Sequence, residues 1–233
     1  MIRKPEIRKD YIQDKYVIIS PRRNKRPHDV AETPSPAINH QIQSSVFTPE
    51  RMRGQKTILT IGNDKRWDIK VVANKFPAVS LDNKHAYGQQ EVVIETPSPN
   101  KQMDQMSIQQ IQEILRVYAL RTQDISKNKK IQYILIFKNN GGSAGQSLQH
   151  SHSQIFATDF IPPHLVDKSQ KQQEYKIRTG HCVYCDVIRK ESKGPRLVYK
   201  DHNVVAFTPY ASMYNYEIWI MPTHHHDNIT ELS

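Results

Sequence analysis

Lys138-Asn139-Asn140-Gly141-Gly142-Ser143-Ala144-Gly145-Gln146-Ser147-Leu148-Gln149-His150-Ser151-His152-Ser153-Gln154 is the stretch that decides how this chain folds and what it handles. An apolar run, Ile131-Gln132-Tyr133-Ile134-Leu135-Ile136-Phe137, leads into it, and Ile155-Phe156-Ala157 leads out. β-branched and aromatic residues on both sides of a glycine-rich bend predict two neighbouring strands, 131–137 and 150–157. Period-two alternation along the second strand puts His150, His152 and Gln154 on one face. Two imidazoles and an amide then line one wall, and Gly141, Gly142 and Gly145 let backbone amides approach an anion closely. These residue types, in this order, point to phosphate chemistry.

Phosphoryl-type transfer needs positioning, charge neutralisation and a nucleophile that also leaves well. A neutral imidazole meets the last demand: it attacks an α-phosphorus, forms a phosphoramidate, and departs when a second phosphate attacks. One ring nitrogen must be free, so a carbonyl or carboxylate has to hold the proton on the other. A histidine-rich surface strand or a buried structural histidine is the competing reading for an isolated pair. The glycine bend and Gln154 turn the balance toward chemistry.

The run Asn139-x-Gly141 through Gly145-x-Ser147-x-x-His150-x-His152-x-Gln154 resembles the active-site signature of the galactose-1-phosphate uridylyltransferase family. That family is a branch of the histidine-triad (HIT-like) nucleotidyltransferases. Ser151, where many members have proline, is similar to the ADP-sugar phosphorylase relatives. What the resemblance implies is a ping-pong transfer of a nucleoside monophosphate. In it His152 is the nucleophile, Gln154 and Ser147 hold phosphate oxygens, and Asn139, Gly145 and His150 belong to the substrate site. The leading expectation is uridylyl transfer from UDP-glucose to a hexose 1-phosphate such as galactose 1-phosphate. A second keeps His152 but uses an adenine nucleotide, with phosphate or water as acceptor, as in an ADP-sugar phosphorylase. A third, of another class, is a zinc-stapled basic binding module without activity.

Length and composition bound these readings. At 233 residues the chain has ample length for one large domain or two small ones. A formal charge of +10 favours anionic partners. Charge alone does not separate a nucleotide sugar from nucleic acid; the resemblance implies a nucleotide sugar and a sugar 1-phosphate. No run resembles a transmembrane helix or a signal peptide, so the expected compartment is the cytoplasm. The two cysteines form Cys182-x-x-Cys185, a spacing for metal or redox use rather than a disulfide scaffold.

Upstream, Tyr16 to Ile19 reads as a short buried strand delivering Ser20-Pro21-Arg22-Arg23-Asn24-Lys25-Arg26-Pro27, a cationic, proline-braced loop suited to a phosphate clamp. It resembles the family's Ser-Pro-x-Arg-x-x-Arg-Pro element, which implies phosphate binding by Arg23 and Arg26. Residues 30–55 read as a long loop. Where many relatives carry a Cys-x-x-Cys metal pair, this chain has Phe47-Thr48-Pro49-Glu50, and Pro99 or Asn100 stands near their usual histidine. The expectation is therefore that the family's first metal site is absent. Trp67 to Ala73 and Glu91 to Pro97 read as strands. Asn74-Lys75-Phe76-Pro77-Ala78 between them resembles a nucleotide-contacting element, with Phe76 covering the base and Asn74 bonding to it or the ribose. Ile108, Ile111, Leu115, Tyr118 and Ile125 recur at helical spacing behind a Ser107 cap, which predicts a helix with a core-facing stripe.

The fold class is α+β and HIT-like: a mostly antiparallel sheet with packed helices, one complete copy followed by a partial second copy. The expected domains are 1–165, catalytic, and 166–233, partial, with residues 159–174 read as the linker. Val204-Val205-Ala206-x-x-Pro209-Tyr210-Ala211 echoes Val71-Val72-Ala73-x-x-Phe76-Pro77-Ala78, and Glu217 to Pro222 echoes Glu91 to Pro97. The second copy stops at a helix opening near Ile229, so the chain is expected to be a fragment, or a shortened protein that completes its sheet in a homodimer. Cys182, Cys185 and His202 form the expected ligand set for a structural Zn²⁺, with His181, one of His224, His225 and His226, or water as candidates for the fourth position; the His224-His225-His226 triplet reads as loop, not catalysis.

Overall fold

The computed structural model describes residues 6–12, 16–19, 45–63, 66–75, 77–141, 144 and 148–231. In chain order the strands and α-helices are β1 Glu6–Lys9, β2 Tyr16–Ile19, α1 Pro49–Met52, β3 Leu59–Asn63, β4 Arg66–Ala73, β5 Gly88–Ile94, α2 Ile108–Ile125, β6 Tyr133–Phe137 and β7 His152–Thr158. They continue as α3 Pro163–Thr179, α4 Val183–Glu191, β8 Leu197–Lys200, β9 Val204–Phe207 and β10 Trp219–Pro222. All named strand pairs are antiparallel, and the α+β class is as the sequence predicts. The chain divides into two compact units, residues 30–161 and residues 1–29 with 162–232. The N-terminal segment thus groups with the C-terminal one, a division unlike two consecutive stretches.

The unit of residues 30–161 is built on a five-stranded sheet in the order β3-β4-β5-β7-β6. Its register sets one row as Val72, Val92, Gln154 and Phe137, and the next as Lys70, Ile94 and His152. These residues share one face; Glu91, Val93, Ser153 and Ile155 alternate onto the other. A bulge in β4 sets Asp68 between the pairs Ile69–Ile61 and Trp67–Gly62. The bulge brings Trp67 onto the first face, where it packs with Met52, Val92 and Ile94.

Helix α2 covers the second face. Ser107 caps it, its side chain accepting the Gln110 N–H at 3.2 Å. The buried face is Ile114, Val117, Tyr118, Arg121 and Ile125, which corrects the predicted stripe: Ile108 is 72% and Leu115 49% exposed. A cation belongs to the buried side because Arg121 meets Glu91 of β5 through two hydrogen bonds of 2.7 and 2.8 Å. An apolar count misses a charged residue whose partner is on another element. Full burial of Ile114 and Val117 contributes at most about 1.5–3 kcal/mol each.

In the other unit, β10-β9-β8 form a three-stranded sheet and β1-β2 a hairpin. Ile12, Val183, Val187, Val205 and Phe207 make its buried cluster. Glu191, fully buried on α4, receives Arg196 through two bonds of 2.7 and 2.9 Å and the Tyr11 hydroxyl. Residues 163–179 are the helix α3, which takes up residues 163–174 of the stretch read from sequence as the linker. Pro163 suits its first turn, Lys and Gln are good helix formers, and Gly180, with φ of 74°, supplies the left-handed stop. No residue of α3 is buried, so the periodic apolar signal that identifies a core helix is missing. Among the described residues no helix is long and apolar enough to cross a membrane.

Candidate active site

The first face of the five-stranded sheet is the floor of a cleft of about 1040 Å³, large enough for a small-molecule ligand. Phe47, Met52, Ile58, Val72, Val92 and Leu148 give it apolar walls, and His152, Gln154 and Asn74 contribute polar groups. Arg51, Lys56 and Lys75 add three cations to its lining, a bias toward anionic ligands.

His152 opens β7, and its orientation is fixed by its own backbone. Nδ1 lies 2.7 Å from the His150 carbonyl oxygen. A carbonyl only accepts, so Nδ1 carries the proton and, in the neutral ring, Nε2 carries the lone pair. The Phe47 ring sits 5.6 Å from the His152 ring, tilted by 58°. The nitrogen needed for attack on phosphorus is therefore the one not engaged in this bond.

His150 plays a different part from the one alternation suggests. It precedes the strand, is 2% exposed and does not line the cleft. Its Nε2 donates to the Thr96 carbonyl at 2.7 Å, so its Nδ1 accepts from Ser45 Oγ at 2.9 Å. Ser45 Oγ in turn accepts the Phe47 N–H at 3.2 Å. Burial lowers the His150 pKa below the usual histidine value, against an opposing contribution from the Thr96 bond. His150 thus joins the 45–47 loop to the sheet and offers its carbonyl to His152. Gln102 steadies the approach, donating to the Gln149 carbonyl at 2.9 Å.

Gln154 is oriented by a relay that the sequence did not reveal. The Ala78 N–H donates to Gln90 Oε1 at 2.9 Å, which sets the Gln90 amide. Gln90 Nε2 then donates to Gln154 Oε1 at 3.0 Å. The Gln154 NH₂ is left out of this relay, with its side chain at the cleft. Asn74 lines the cleft while its backbone N–H donates to the Gln90 carbonyl at 2.9 Å. Asn139 follows β6, half-buried and outside the cleft lining. Gly141 adopts φ of 88°, a left-handed bend that suits glycine. Arg23, Arg26, Phe76, Gly145 and Ser147 lie outside the described residues.

Behind the sheet, Glu95 is completely buried and fully paired. Burial pushes its carboxyl up, but bonds from Lys138, Ser151 and Ser153, together with the Lys138 charge, outweigh this and hold it below the usual value. The signal for this cluster was present in the two serines alternating with the histidines, although nothing marked Glu95 as their partner.

A second group lies in the other unit. Cys182 precedes α4, Cys185 sits in its first turn, and His225 follows β10. Their ligand atoms lie within 4.8 Å of one another, with Cys185 Sγ 3.4 Å from His225 Nδ1. Two thiols and an imidazole at such spacings fit three vertices of a tetrahedral metal site with bonds of about 2.0–2.3 Å. Burial pushes the Cys185 thiol up, and Cys182 adds to it, so a bound metal would have to displace protons. His202, the ligand expected from sequence, is not in this group. Antiparallel pairing of β9 and β10 brings residues 202 and 224 to the same end of the sheet, and the His202 ring rests on His224 at 5.5 Å. The next residue, His225, faces the cysteines instead.

Comparison with known proteins agrees with this geometry. Residues 73–162 match the family model described as galactose-1-phosphate uridyl transferase, N-terminal domain. The chain is 31% identical to ADP-glucose phosphorylase of Arabidopsis thaliana over 98% of its own length and 68% of that protein. It is 26% identical to galactose-1-phosphate uridylyltransferase of Thermotoga maritima, over 98% of this chain and 70% of that protein. The crystal structure of the Arabidopsis ADP-glucose phosphorylase with bound ADP-glucose superposes with a TM-score of 0.85 at 30% identity, covering 99% of this chain and 72% of that one. A uridylyltransferase structure superposes with a TM-score of 0.72 at 28% identity, over 98% and 69% of the two chains. Cleft, histidine strand and overall likeness converge: the chain belongs to the galactose-1-phosphate uridylyltransferase family of HIT-like nucleotidyltransferases.

Proposed function

We propose that this chain moves a nucleoside monophosphate from a nucleotide sugar to a second phosphate through His152. The observation that carries this reading is the 2.7 Å contact between His152 Nδ1 and the His150 carbonyl, which leaves Nε2 as the ring's nucleophilic nitrogen. Nε2 attacks the α-phosphorus; a P–N bond forms, the P–O bond to the sugar phosphate breaks, and sugar 1-phosphate leaves. An acceptor phosphate oxygen then attacks the same phosphorus and the P–N bond breaks. The Nδ1 proton stays in place throughout, held by the carbonyl. The Gln154 NH₂ donates to a phosphate oxygen as charge develops. Asn74 meets the base or ribose. Ser147, Gly145, Arg23, Arg26 and Phe76 enter the reading through the family resemblance alone.

Two donors fit. Uridylyl transfer from UDP-glucose to galactose 1-phosphate follows from the family signature. Adenylyl transfer from ADP-glucose, with phosphate as acceptor, is favoured by the higher identity and TM-score of the Arabidopsis enzyme. We assign the Cys182, Cys185 and His225 group to a structural Zn²⁺, and the cytoplasm as the working compartment. Incubation with UDP-glucose or ADP-glucose, followed by mass measurement of the intact chain and of its His152 peptide, decides the donor. A uridylyl adduct supports the first reading and an adenylyl adduct the second. No adduct with either donor would overturn the proposal, as would an adduct that survives His152→Ala.

A further inference from the structure

Ser151 and Ser153, which flank His152, point away from the cleft into one buried carboxylate. Ser151 Oγ donates to Glu95 Oε2 at 2.5 Å, and Ser153 Oγ donates to Oε1. The Tyr118 hydroxyl of α2 donates to the same Oε1 at 3.1 Å. Lys138 completes the set: its Nζ reaches Glu95 Oε2 at 2.6 Å, Ser151 Oγ at 2.8 Å and the His152 carbonyl at 3.2 Å. An ammonium has three protons, and all three are used. The Glu95 N–H also donates to the Ser151 carbonyl at 3.2 Å. The residues before and after His152, and its own carbonyl, are therefore tied to one anion–cation pair on the far side of the sheet.

We propose that Glu95, with Lys138, is a positioning residue for His152: the buried pair fixes the start of β7, and with it the direction of His152 Nε2, without touching substrate. The inference rests on His152 being the nucleophile. Hydrophobic residues at 95 and 138 would stabilise the sheet as well as an ion pair does. What they would not supply is the four directional bonds to the serines and the His152 carbonyl. A reacting atom displaced by about 1 Å loses on the order of a hundredfold in rate, so a rigid rear anchor matters more for turnover than for binding.

Glu95→Gln separates the two roles. The carboxamide keeps its oxygen toward Lys138 and turns its NH₂ toward Ser153 and Tyr118, whose hydroxyls can accept, so the bond count survives and the charge is lost. The double variant Glu95→Gln/Lys138→Met removes both charges and guards against a stranded ammonium. Folding is checked by circular dichroism, single-turnover labelling of His152 is followed with ADP-glucose and UDP-glucose, and ADP and UDP affinity is measured by calorimetry. The expected result is labelling slowed roughly 10–100-fold in the double variant, which loses the Lys138 bonds to Ser151 and the His152 carbonyl, and slowed less in Glu95→Gln, with nucleotide affinity held within about threefold in both. Labelling at the wild-type rate in the folded variants would overturn the proposal. So would a rate loss matched by an equal loss of affinity, the mark of a merely structural role. If the wild-type chain takes no label from either donor, the nucleophile assignment fails and this inference falls with it; label in the wild type with no slowing in the variants sinks this inference alone.

Discussion

The segment 45–52 and the segment 182–187 each fasten to a sheet beside histidines, yet by different chemistry. In the first, Ser45 Oγ joins His150, the Phe47 N–H joins Ser45, and the Phe47 ring packs at 5.8 Å from His150 and 5.6 Å from His152. Each polar atom in this chain of bonds has a protein partner. In the second, two thiols and an imidazole converge within 4.8 Å, and the contacts among them are weak hydrogen bonds at best. Hydrogen-bonded fastening is complete within the chain itself. A thiol and imidazole cluster gains its strength from an ion. The comparison teaches that one unit carries its own fastening while, under the proposed Zn²⁺ assignment, the stability of the other is coupled to metal.

The sharpest way to break that contrast is to remove metal. Zinc content is expected at about one per chain, and a chelator should destabilise the Cys182–Cys185 unit by about 4 kcal/mol when metal had been present at a thousandfold excess over Kd. His225→Ala should lose the metal and His202→Ala should keep it, as read by atomic absorption. A content near two, or retention by His225→Ala, contradicts the ligand set. Ser45→Ala is expected to have a smaller effect. Removing the hydroxyl leaves buried His150 Nδ1 without a donor and costs about 1–3 kcal/mol, measured by denaturant unfolding, with metal content unchanged. A loss of metal in Ser45→Ala would show the two fastenings to be linked.

Much of this was legible in the sequence, for identifiable reasons. Strands β4, β5, β6 and β7 announce themselves through alternation or apolar runs, and the Ser107 cap marks the start of α2. The proposed nucleophile stands out in the sequence because a glycine bend, two histidines and a glutamine fall within one short segment. Pairings across the fold were not. Nothing local links Glu95 to Ser151 and Ser153, 56 and 58 residues away, or Arg121 to Glu91, 30 residues away. His225 was a candidate ligand in the sequence but not singled out, for another reason. Three consecutive histidines read as a generic loop, and only the register of β9 with β10 shows which of them turns toward the cysteines. Helix α3 escaped because its stability draws on local propensity and caps rather than an apolar face.

The central claim is that His152 Nε2 carries the nucleotide between two half-reactions. Isotope exchange tests it most directly: labelled glucose 1-phosphate is incubated with the chain and ADP-glucose, and separately with UDP-glucose, with no acceptor phosphate added. The account predicts that label enters one nucleotide sugar, and that His152→Ala abolishes the exchange while keeping its fold. Exchange that persists in His152→Ala, or turnover by the wild type without any exchange in the absence of acceptor, would contradict it.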